Sequence, residues 1–60
     1  MTKRECYSMA DVLYRTMQEF EGSAAAPAIE LIAQRMADVF ERDVEEFHRE
    51  QFLTAAGVKS

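Results

Sequence analysis

Few residues in this chain have the type and spacing to do chemistry. The sequence has one cysteine, Cys6, and one histidine, His48. Glu45-x-x-His48 has the spacing of the carboxylate–histidine pair that holds iron in di-iron helical bundles. Such a site also needs an inward-facing glutamate from another helix, and the apolar stripe of the first helix carries none. The plainer reading is a solvated or helix-capping His48, and no metal is expected. Cys6 lies on that apolar stripe with no base placed beside it. Burial raises a thiol's pKa, so the spacing favours a small core residue over a nucleophile. There is no glycine-rich phosphate loop, no Ser-His-Asp arrangement and no convergent carboxylate pair. Catalysis and cofactors are therefore not expected.

Lys3, Arg4, Arg15, Arg35, Arg42 and Arg49 are the possible phosphate contacts. They alternate with acids at three- and four-residue spacing, which marks a salt-bridged, solvated face more often than a phosphate track. The net charge of −4 argues against a general nucleic-acid or anionic-membrane surface but leaves room for a local basic one. Met9, Met17 and Met36 fall at core spacing, where methionine fills gaps.

These residues must be positioned by helices. The chain is 48% hydrophobic and 30% charged, with two Gly and one Pro, a helical and globular composition. Thr2-Lys3-Arg4-Glu5 reads as a capping box, placing helix 1 at about 3–21. Cys6, Met9, Ala10, Leu13, Met17 and Phe20 make its core stripe. Tyr7 and Tyr14 line the stripe's edge, and Asp11, Arg15 and Glu19 form a charge ladder opposite. Gly22 is placed to close the helix as its left-handed residue, and Ser23 to cap helix 2, whose first turn tolerates Pro27. A link this short predicts antiparallel neighbours.

Helix 2, at about 24–42, carries a wider stripe of Ile29, Ile32, Ala33, Met36, Ala37, Val39, Phe40 and Val44, which implies more than one neighbour. Val12 and Leu31 lie off the stripes. Unbroken, helix 2 would bury Asp43 and turn Phe52 and Leu53 to the polar side, so it must break between Arg42 and His48. One placement uses Asp43-Val44-Glu45-Glu46 as a capping box. The preferred one uses His48 as N-cap, with Phe47 stapled to Phe52 and Gln51 reaching back. A third helix then runs over about 49–56, closed by Gly57, and Val58 to Ser60 fray.

Sixty residues make one small domain. Folding leaves roughly 4,000 Å² of surface against about 10,000 Å² for the extended chain. The apolar part of the buried area contributes on the order of 90 kcal/mol, and ordering the chain costs about as much. With one cysteine and no zinc cluster, self-association is the cheapest further source of buried area, and a homodimer or higher oligomer through the wide face of helix 2 is expected, the dimer favoured. The chain shows no bilayer-spanning apolar run and no signal-peptide architecture, so no membrane partner and a cytoplasmic setting are expected.

The C-terminal stretch resembles that of small proteins encoded by actinobacterial phages and prophages, with a Phe-Asp-Arg-x-Arg-Phe-Leu-x-Ala-Cys-Gly ending after an Asn-Pro pair. Phe47, Arg49, Phe52, Leu53, Ala55 and Gly57 match that ending. Met1-Thr2-Lys3-Arg4 and Met36-Ala37-Asp38-Val39-Phe40 are similar to other parts of the group. Asn-Pro is absent here, His48 replaces the Asp and Ala56 the Cys. The matching residues pack and cap, so the resemblance implies origin rather than mechanism.

The sequence thus predicts an all-α helical hairpin with a short third helix, oligomeric, acting without catalysis by binding a macromolecule; the resemblance implies a host or phage target, for example in inhibition of a defence system. Val12 and Leu31 are the candidate partner contacts, with Tyr7 and Tyr14 at the rim. Two alternatives remain open at this point, an RNA- or DNA-binding regulator built as a hairpin dimer and an oligomer that sequesters a small ligand.

Overall fold

Thr2 starts the first helix by the predicted reciprocal bonding. Its hydroxyl accepts from the Glu5 amide at 3.2 Å while the Glu5 carboxylate accepts from the Thr2 amide at 3.1 Å. In the computed structural model, which describes Thr2 to Val58, three helices follow and no strand occurs among the described residues. They are α1 (Lys3–Glu19), α2 (Ala26–Asp43) and α3 (Arg49–Ala55). Each packs against the other two.

α1 ends at Glu19, short of the expected residue 21. Gly22 is left-handed (φ 80°) but lies past two turn residues rather than directly after the helix. Ser23 does not cap α2 as expected. Its hydroxyl donates to the Phe20 carbonyl at 2.6 Å and accepts from the Ala25 amide at 3.2 Å, pinning the link. The second helix therefore begins two residues later than predicted, at Ala26, with Ala25 as an unassisted N-cap and Pro27 in the first turn.

α2 stops at Asp43 and α3 restarts at Arg49. No helix begins at the alternative Asp43 capping box, and Glu46 in that stretch is left-handed (φ 58°). His48 has the extended backbone of an N-cap, yet its side chain makes no capping bond. Gln51 does not reach back either, because its amide oxygen accepts from the Tyr7 hydroxyl at 3.3 Å. The staple itself forms, with the Phe47 and Phe52 rings 5.6 Å apart. Phe40 meets Phe47 at 5.6 Å and Phe52 at 5.3 Å, both edge-on, so the break is built around three aromatic rings.

The expected fraying of Val58 is overturned. The Gly57 amide donates to the Thr54 carbonyl at 3.0 Å and the Val58 amide to the Leu53 carbonyl at 2.9 Å, the paired bonds of a Schellman motif with Gly57 left-handed (φ 85°). Satisfied by that motif, Val58 is buried in the core. Residues 59 and 60 lie outside the described residues.

The core joins Cys6, Ala10 and Leu13 of α1, Ile29, Ala33, Ala37 and Phe40 of α2, and Val44, Phe52, Ala56 and Val58 beyond it. Small residues at Ala10, Ala33, Ala37 and Ala56 let the helices approach and leave Phe52 as the largest fully buried side chain. The result is long and thin, 34 × 16 × 16 Å, with 4425 Å² of exposed surface. That exceeds the roughly 4,000 Å² of a compact monomer of this mass.

Candidate functional site

The reactive residues are dispersed. Cys6 is fully buried, and burial pushes its thiol up from the ordinary cysteine range. Glu45 lies in the turn and His48 at the start of α3, so the helix breaks inside the Glu-x-x-His spacing and the two do not share a helical face. No group of three or more His, Cys, Asp or Glu among the described residues could hold a metal ion. No polar or charged side chain is buried among them, so the core presents no preorganised polar site.

Three of the arginines are engaged with carboxylates. Arg15 pairs with Asp11 at 3.2 Å and Arg42 with Asp43 at 2.8 Å, while Arg49 of α3 is bonded to Asp38 of α2. The Arg42 guanidinium bonded to Asp43 holds that carboxyl below its usual range. Of these, only the Arg15–Asp11 pair has the four-residue spacing read in the sequence; Arg42 pairs with its neighbour and Arg49 reaches across from α3 to α2.

The exposed apolar groups are organised instead. Met9, Val12, Tyr14, Phe20, Leu31, Ile32 and Val39 all keep more than a third of their surface open. Met9, Ile32, Met36, Val39 and Phe40 line one shallow groove between α1 and α2, with Arg35 on its margin. The wide stripe of α2 is thus divided. Ile29, Ala33, Ala37, Phe40 and Val44 face the core, whereas Ile32 (51% exposed) and Val39 (43%) face out. The residue list of the sequence stripe treated both halves alike, and Met9 and Phe20 as core. The stripe's width signalled a second neighbour but not which half the core would take.

Val12 and Leu31 are exposed, at 62% and 47%, on α1 and α2. The tyrosines lie elsewhere. Tyr7 stacks on Phe47 at 6.1 Å, and its one hydroxyl proton is shared between Gln51 Oε1 at 3.3 Å and the His48 carbonyl at 3.5 Å, fastening α1 to the start of α3. Tyr14 lies against Gly57 and, with Met17, Gln18, Glu21, Ala26 and Glu30, lines an open cleft of about 350 Å³. The structure thus places the tyrosines by α3 and the C-terminal turn.

No helix among the described residues is long and apolar enough to cross a membrane. Comparison with family models, with curated proteins and with solved structures returns no match.

Proposed function

We propose that this protein is a non-catalytic binding module of the small phage type, working in the cytoplasm. In this reading it engages a host or phage protein through exposed apolar helical surface and modulates or inhibits it by steric occlusion. The observation that carries the reading is the exposed apolar set on α1 and α2, in a chain whose described residues include no metal-competent cluster of His, Cys, Asp or Glu. Macromolecular interfaces are anchored by a few such side chains, and Leu31 and Val12 are the anchors assigned. The supporting arrangement is an antiparallel α1–α2 hairpin. A 17-residue α1 is about 25 Å long, and the link from Phe20 to Ala25 spans at most ~20 Å, too short to return to the start for a parallel α2. The carboxylate-paired arginines favour a protein over a nucleic-acid partner.

The test is capture from lysate on immobilised wild-type protein and on a Leu31→Glu variant of matched helicity. The reading expects a protein partner that survives washing at about 0.5 M salt and is lost with the variant. Captured RNA or DNA that washes away steeply with salt, with no protein retained, sinks it.

A further inference from the structure

We infer that the α1–α2 groove is covered by a second copy of this chain, in a two-fold dimer whose axis runs along the helices. This rests on the proposed function and names the occupant of part of its apolar surface, Val12 included, which leaves Leu31 as the anchor for the other partner. The position of the groove follows from helical register. At 100° per residue, Met9 lies about 60° round α1 from buried Cys6, and Val12 about 120° in the same sense. On α2, Ile32 lies about 60° and Arg35 about 120° from buried Ile29. Met9 and Val12 on one helix and Ile32 and Val39 on the other therefore present one outward face, with Met36 and Phe40 in the floor between them.

Area and charge both point to a second copy. The four outward side chains, between 36% and 62% exposed, offer on the order of 400 Å² of apolar surface, within the range of a functional patch. That is about half of the ~800 Å² per partner of a standard interface, and the polar margins would have to supply the rest. The margins differ in sign. Glu5 and Glu19 flank Val12 at seven-residue spacing on α1, Glu5 also bonded to Thr2, and Arg35 and Arg42 stand seven apart on α2, Arg42 also bonded to Asp43 of its own chain. A two-fold axis along the helices lays α1 of each copy over α2 of the other, so the acidic margin meets the basic one twice. An axis across the helices would lay acid on acid and arginine on arginine. The charge pattern selects the first arrangement.

Sedimentation equilibrium of the wild-type chain and its variants decides this. Wild type is expected to be dimeric at micromolar concentration. Ile32→Glu is expected to be monomeric with unchanged helix content, and Val39→Lys repeats the test should the first variant misfold. Thr54→Glu, exposed on α3, should remain dimeric. Arg35→Ala/Arg42→Ala should dissociate roughly tenfold more readily, about 1.4 kcal/mol, because it removes the exposed ion pairs across the interface. A monomeric wild type, or a dimer that survives Ile32→Glu and Val39→Lys, overturns the interface. Unchanged or tighter association of the arginine variant overturns the axis. A monomer that still captures a partner through Leu31 would sink the dimer and leave the proposed function standing.

Discussion

Replacing Gly57 by alanine should cost markedly more than replacing Gly22, although both are left-handed. At Gly22 (φ 80°) a new Cβ meets nothing within 4 Å, so the cost is conformational. The left-handed region costs an L-residue about 1–2 kcal/mol, offset by ~0.4–1 kcal/mol from restricting the unfolded chain, for a net loss near 1 kcal/mol. At Gly57 (φ 85°) the same conformational cost applies, and the Cβ would also lie 3.0 Å from Cδ1 of Tyr14. Tyr14 is 42% exposed and can swing away, at an off-rotamer cost of about 0.5–1.5 kcal/mol. Gly57→Ala should therefore lose about 2 kcal/mol. For a chain this short each kcal/mol lowers Tm by roughly 4–8 °C, so the two variants separate clearly in thermal unfolding followed by circular dichroism. Adding Tyr14→Ala should recover the Gly57-specific part, a coupling of about 0.5–1.5 kcal/mol, and none of the Gly22 cost. Equal losses at the two glycines, or no coupling with Tyr14, would refute the packing of Tyr14 on the C-terminal turn.

Phe52→Ala should cost about 3–5 kcal/mol. That is most of the ~3–9 kcal/mol expected for sixty residues, so the variant should be largely unfolded in mild urea; half-buried Phe47→Ala should lose less. His48→Asp should supply the missing cap bond and gain about 0.5–2 kcal/mol, read as a raised urea midpoint, and no gain would show that α3 begins elsewhere. The Thr2 amide and hydroxyl hold the Glu5 carboxyl below its ordinary range. Its contribution is therefore complete above the usual carboxylate pKa of about 4.3 and lost as pH falls through the depressed value. The Tm gap between wild type and Glu5→Gln should be constant near neutrality and close on acidification.

Those experiments bear on features of unequal visibility in the sequence. The Thr2–Glu5 box and the Phe47–Phe52 staple were legible because each rests on residues three to five apart that interact locally. The end of α1, the role of Ser23 and the burial of Val58 were not. Each depends on which backbone carbonyl a nearby donor finds, and several are within reach of any turn. Gln51 was misplaced for a longer-range reason, since its amide oxygen is taken by Tyr7, forty-four positions away. Periodicity could name the apolar residues of α2 but not which half of them α1 and α3 would cover. Hence Ile32 and Val39, at the groove now assigned to association, were hidden among core residues.

Cys6, fully buried with its thiol held protonated by its surroundings, makes the chain its own reporter of opening. A thiol reagent can reach it only in molecules whose core has come apart. Since Cys6 shares that core with Phe52, labelling should follow the undocking of α3 as well as global unfolding. When closing outpaces the reagent, the labelling rate divided by that of an unfolded peptide gives the open fraction directly. A bound partner or second copy that stabilises the fold would slow the label without touching the cysteine. The single buried thiol thus becomes a built-in site for screening, by its labelling rate, for whatever this protein binds.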